Sequence, residues 1–140
     1  MKKIILMCLF TITLFAKVNY GDVVVTNIVS VYDGDTISVD IDAFPKIIGQ
    51  KISIRINKID TPEIRGRCQK EKDLAIKARD LVYNLVKESR EIVLKNMTRD
   101  KYFRIGADLY VDGKNVADIL IFNSLAVEYY GGKKLKVWCE

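Results

Sequence analysis

The sequence predicts an α+β fold, a small five-stranded β-barrel carrying two to three helices. Three observations lead there. Apolar and polar residues alternate over 36–41 and 51–59, the period of strands with one buried face. Over 69–89 the period changes to three and four, which describes one long amphipathic helix. Three strand segments precede that helix, and two more strands and a second helix follow it, an order that suits a small closed barrel. The chain has 140 residues, enough for one domain. With 49% hydrophobic and 29% charged residues it has the composition of a globular chain rather than a disordered one.

The first element is not part of the barrel. Met1-Lys2-Lys3 is a positive start, and residues 4–16 are uncharged and mostly apolar. A membrane-spanning helix needs about 20 such residues, whereas a signal-peptide core needs roughly 7–15. Residues 1–16 therefore read as a signal peptide, cut after Ala16 or a few residues later, by about residue 20. An uncleaved membrane anchor is the alternative. The expected mature domain covers 22–140, free of the membrane and located in the periplasm or outside the cell. Cleavage removes Lys2 and Lys3 but no acidic residue, so the formal charge falls from +5 to +3. It also removes Cys8 and leaves Cys68 and Cys139. In an exported chain two cysteines suggest a disulfide, with two free thiols as the alternative. The bond would tie the start of the helix to the C-terminal region and contribute about 4 kcal/mol by the chain-entropy estimate.

The barrel elements follow in order. Residues 23–31 are rich in Val and Ile, with Thr26, Asn27 and Ser30 between them, and read as one strand. Asp33-Gly34 is a tight-turn dipeptide. It joins that strand to 36–41, where Ile37, Val39 and Ile41 share one face and Ser38 and Asp40 the other. Phe44-Pro45 and Gly49 mark a loop. Over 51–59, Ile52, Ile54 and Ile56 point inward and Ser53, Arg55 and Asn57 outward. If that alternation persists, Arg55 shares a face with Ile59 and Thr61, and Asp60 with Lys58. Pro62 ends the strand because it cannot donate to a ladder. In the helix over 69–89, Leu74, Ala78, Leu81, Val82 and Leu85 form the apolar stripe, with Lys, Glu and Asp outside. Residues 92–94 and 104–111 read as strands, the second closed by Asp112-Gly113, and 116–125 as a shorter helix. The tail carries Gly131-Gly132 and then Lys133, Lys134 and Lys136. Five strands with helices placed this way match the OB-fold, a barrel that serves many functions.

There is no histidine. That excludes Ser-His-Asp and Cys-His catalysis, histidine zinc sites and a histidine base. Hydrolysis would have to use carboxylates, hydroxyls, Lys or Arg, or a hard metal. Three segments concentrate such groups: Tyr32-Asp33-Gly34-Asp35-Thr36, then Arg55 to Glu63, then Asp100-Lys101-Tyr102-Phe103-Arg104. Taken singly they are a turn, a solvated strand end and a charged loop.

Taken together, D-G-D-T, R-x4-D-T-P-E and D-K-Y-x-R in this order resemble the signature of the staphylococcal nuclease family, over roughly residues 23–130. The resemblance implies an OB-fold barrel and a calcium-dependent endonuclease. Such an enzyme cuts DNA and RNA with little sequence preference and leaves 3′-phosphate ends. It implies Asp35 and Asp60 as Ca2+ ligands, with Thr61 a ligand through its carbonyl. Glu63 corresponds to the general base or positioner of the attacking water, and Arg55 and Arg104 to the arginines that grip the scissile phosphate. Tyr102, with Lys101 beside it, and Tyr130 correspond to the nucleotide-binding surface. A monomer without stable protein partners is expected. The chemistry is consistent: calcium takes hard oxygen ligands, and arginine forks match phosphate oxygens. A glutamate near its reference pKa of about 4.3 is a weak base unless its surroundings raise that value. The chain also departs from the family pattern. Residues 64–69 form a compact basic stretch, Phe103 stands where a glycine is usual, and the family's third helix is expected to be absent or vestigial. The Cys68/Cys139 pair resembles that of a cysteine-containing bacterial subgroup, in favour of the disulfide. The competing readings are a non-catalytic nucleic-acid-binding OB-fold protein and a calcium-stabilised envelope protein.

Overall fold

The computed structural model describes residues 18–99 and 104–140. The leader expected over 1–16, and Lys101 and Tyr102, lie outside the described residues. In chain order the elements are β1 (Val23–Val24), β2 (Asn27–Val31), β3 (Thr36–Asp40), α1 (Lys46–Gly49), β4 (Ile52–Ile56) and β5 (Ile59–Asp60). Then come α2 (Gln69–Lys87), β6 (Ile92–Arg99), β7 (Ile105–Val111), β8 (Lys114–Asn115), α3 (Val116–Phe122) and β9 (Val127–Glu128).

The main sheet runs β1-β6-β7-β4-β3-β2, with β8 paired to β7. Its two outer strands, β1 and β2, are neighbours in sequence. Between them Val25 N donates to Ile92 O and Thr26 N to Asp40 O, each at 2.9 Å. One short segment thus bonds to both ends of the sheet, so the sheet curls around on itself, as an OB-fold barrel with helices requires. This explains why 23–31 has the pattern of a single strand: it changes partner at Val25 and Thr26 without losing its extended course. β4 and β7 run parallel, with Ile54 opposite Ile105.

The alternating residues fill the interior. Ile37, Val39, Ile54, Ile56, Leu94 and Leu109 are buried at 0–1% exposure. Each such side chain contributes about 1.5–3 kcal/mol, and a one-residue slip would expose the whole set, so burial fixes the register. α2 adds Ala78, Val82 and Val86 to this core.

Several expectations are corrected. The strand expected over 51–59 stops at Ile56. Lys58 turns the chain with a left-handed φ of 66°, and β5 then pairs with β9 in a separate two-stranded sheet. The alternation is reset there, so Ile59, Asp60 and Thr61 are all buried rather than divided between two faces. The stripe of α2 is also shifted. Its buried residues are Glu71, Ala75, Ala78, Val82 and Val86, with Leu74, Leu81 and Leu85 at its margin. One acidic residue expected outside, Glu71, is therefore inside. β6 is longer than 92–94 and passes an irregularity between Lys95 and Thr98, where Asn96 has a φ of 52°. α1 occupies the stretch read as loop. α3 ends before Asn123, whose N–H returns to Ile119 O at 3.1 Å.

Candidate active site

Asp33 begins the site. Its Oδ1 accepts from Asp35 N at 3.1 Å, closing the turn that leads into β3. Gly34 is needed here for space rather than for a left-handed backbone. A Cβ on it would stand 2.8 Å from Ala78 Cβ and 2.9 Å from Thr61 Cγ2. The absence of a side chain lets the hairpin tip press against α2 and against the segment after β5.

This close approach places Asp35. It is 3% exposed. Its Oδ2 accepts from Thr61 Oγ1 at 2.8 Å and its Oδ1 from Thr36 Oγ1 at 3.0 Å. Arg55 Nη1 pairs with the same Oδ1. Strand register makes that pair possible, because Arg55 on β4 stands opposite Thr36 on β3. Arg55 Nη2 also donates to Ile59 O at 3.3 Å, tying the guanidinium to the chain after the turn. Burial pulls the guanidinium below its usual pKa, the charges of Asp33 and Asp60 oppose that, and Arg104 adds to it. An arginine stays protonated through such a shift. Burial pushes the Asp33 carboxyl up, and the charge of Arg55 counteracts it.

Asp60 and Thr61 are each 2% exposed. The pairing of Asp60 with Val127 in β9 makes the C-terminal region part of the site's frame. The same region supplies Lys134, whose Nζ lies 2.7 Å from Asp60 Oδ1 and 2.7 Å from Glu63 Oε1. The contact with Glu63 is a hydrogen bond. The contact with Asp60 is an ion pair that engages its buried Oδ1. Lys134, first by its hydrogen bond and then by its charge, holds the Glu63 carboxyl below the usual glutamate range, and Arg55 contributes in the same direction. The surroundings therefore make Glu63 a weaker base, not a stronger one.

Asp35, Arg55, Thr61, Glu63 and Arg104 all line one cleft of about 520 Å3, together with Tyr129. Asp60 lies just behind it, in contact with Lys134. Tyr130 is 76% exposed and lines an adjoining groove of about 730 Å3, which also includes Arg55, Arg104 and Tyr129. Tyr129 is the tyrosine that reaches both spaces, with its hydroxyl donating to Gly132 O at 2.7 Å.

The donor set suits a hard cation. Asp35 and Asp60 are buried and offer only oxygens, the Thr61 carbonyl is a third oxygen, and the cation that Asp60 Oδ1 now faces is the Lys134 ammonium. Among the described residues the one cluster of three acidic or sulfur side chains is Cys68, Glu71 and Cys139. Its two sulfurs form a disulfide, with the Cα atoms 5.9 Å apart, and so offer no thiolate.

Two residues that shape the site were not identified from sequence. Glu71 accepts from Arg67 N at 2.9 Å and Glu63 N at 3.4 Å, so α2 clasps the loop that carries Glu63. Lys134 had a readable signal. Cys68 follows Glu63 by five residues, so a bond from Cys68 to Cys139 brings the lysine-rich tail beside Glu63.

The family model for staphylococcal nuclease homologues matches residues 53–136, more than half the chain. The chain belongs to the staphylococcal nuclease family. A comparison with curated proteins returned no match. In this nuclease homologue the matched span contains Arg55, Asp60, Thr61, Glu63, Arg104 and Lys134. Asp35 precedes that span. Its connection to the site rests on the bonds to Thr61 and Arg55 described above.

Proposed function

We propose that this staphylococcal nuclease homologue is a calcium-dependent endonuclease acting on DNA and RNA with little sequence preference. The observation that carries the proposal is the single cleft in which Arg55 and Arg104 face Asp35, Thr61 and Glu63. Buried carboxylates beside the guanidinium groups of Arg55 and Arg104 suit a phosphodiester, which is anionic before the reaction and more so in the transition state.

Asp35, Asp60 and the Thr61 carbonyl would hold the calcium ion, which when bound supplies positive charge to a phosphate oxygen and to water. Arg55, held by Asp35 and by Ile59 O, presents a preorganised fork to the scissile phosphate, and Arg104 supplies a second. Glu63, kept ionised by Lys134, orients the attacking water by accepting a hydrogen bond. Water adds to phosphorus and the bond to the 5′ oxygen breaks. The attacking water releases one proton to solvent, the 5′ oxygen takes one from solvent and leaves as a hydroxyl, and the phosphate stays on the 3′ side. Tyr129 and Tyr130 are placed to contact a base beside this phosphate, and Lys101 and Tyr102 complete the proposed substrate set.

We extend the proposal to location and state: residues 1–16 direct export, and the mature domain acts as a monomer in the periplasm or outside the cell. The disulfide suits that setting. The test is incubation of mature protein with single-stranded DNA and RNA, with calcium and with chelator. Cutting in calcium alone, leaving 3′-phosphate ends, supports the reading. Strand binding without cutting would replace it with the non-catalytic one.

A further inference from the structure

The nuclease reading leaves two pairs of basic residues unused: Arg65 and Arg67 after Glu63, and Lys133 and Lys136 of the tail. They face each other. The Cys68–Cys139 bond draws residues 133–139 alongside the 63–67 loop, and between them lies a cleft of about 510 Å3. Arg65, Arg67, Lys133 and Lys136 line it, all exposed. None of these four forms an ion pair among the described residues. The acids of this cleft are already engaged: Lys134 faces Asp60 and Glu63, and Glu71 accepts from the backbone of the loop. Trp138 forms part of the wall. It is 7% exposed, and its indole Nε1 has no acceptor among the described residues. Lys136 Nζ stands 5.5 Å from its ring.

This cleft adjoins the catalytic one, since Thr61, Glu63 and Lys134 line both. We infer that it is a second binding site for the substrate, a track for the sugar-phosphate backbone of one strand leading away from the scissile phosphate. The inference rests on the proposed nuclease function. Uncompensated cations on both walls of one cleft recognise a polyanion with repeating phosphates. A cleft of about 510 Å3 suits one sugar-phosphate chain, and the proposed occupant is a single strand. The disulfide gives the track its second wall.

The test measures binding of labelled single strands, from a dinucleotide to a long oligomer, by fluorescence anisotropy in chelator, where nothing is cut. Wild type is compared with Arg65→Gln/Arg67→Gln and with Lys133→Gln/Lys136→Gln, after circular dichroism has shown the fold unchanged. For the long strand each double variant is expected to bind about tenfold more weakly at low salt. The slope of log affinity against log salt should flatten by about 0.7 for each phosphate that is no longer neutralised. Dinucleotide affinity should move far less. Unchanged affinity and slope for the long strand, or an equal loss with the dinucleotide, would overturn the inference. Failure of the nuclease reading has a different signature: wild type does not cut in calcium, yet the length-dependent loss remains. That result still supports the track.

Discussion

Arg104 and Glu63 carry the most direct consequences at the scale of single residues. If Arg104 stabilises charge that builds only in the transition state, Arg104→Ala lowers kcat by about a hundredfold or more and leaves the melting curve nearly unchanged. Steady-state kinetics together with thermal denaturation check this. Loss confined to KM would reassign Arg104 to ground-state binding. Glu63 poses a question of protonation. Lys134 is the largest cause of its lowered pKa. Lys134→Met removes that influence, so the Glu63 carboxyl should titrate at higher pH than in wild type, as followed by the NMR shift of its carboxyl carbon. An unchanged titration would mean that Lys134 does not hold Glu63 in solution. Because its folded pKa is depressed, the ionised Glu63 contributes stability at neutral pH that is lost as pH falls through the folded value. That contribution is small, since the side chain is 60% exposed and screened by solvent.

At the scale of elements, the tip of the β2–β3 hairpin is a tight point of the site. Gly34→Ala brings a methyl group within 3 Å of Ala78 and Thr61. It should destabilise the fold by about 1–3 kcal/mol, read as a lower midpoint in chemical denaturation. It should also cost activity by displacing Asp35. Full stability in this variant would show that the hairpin is not clamped there. The elements also show which features a sequence displays. The alternation at Ile37, Val39, Ile54 and Ile56 and the period of α2 were legible because burial on one face writes itself into residue choice. The splits at Val25–Thr26 and Asn57–Lys58 were not. A strand that changes partner keeps its pattern, and a single left-handed lysine leaves no compositional mark. The site's motif residues were legible through resemblance. Lys134 and Glu71 belong to no motif and act through contacts that only the folded tail and helix create.

At the scale of the whole molecule, the Cys68–Cys139 bond links the loop that carries Glu63, α2 and the tail. Its 71-residue separation implies a contribution of about 4 kcal/mol. Reduction should lower the unfolding midpoint accordingly, and a thiol assay on unreduced mature protein should find neither cysteine free. Two reactive thiols would refute the bond in solution. The central claim concerns the whole assembly, barrel, arginines and buried carboxylates together, as a calcium-dependent nuclease. Its most direct measurement is the rate at which purified mature protein cuts single-stranded DNA and RNA in calcium, in chelator, and in calcium restored after chelation. A calcium-dependent nuclease cuts both polymers in calcium and neither in chelator, and recovers fully when calcium returns. Cutting that ignores chelator, or no cutting by folded protein that binds the strand, would contradict that claim.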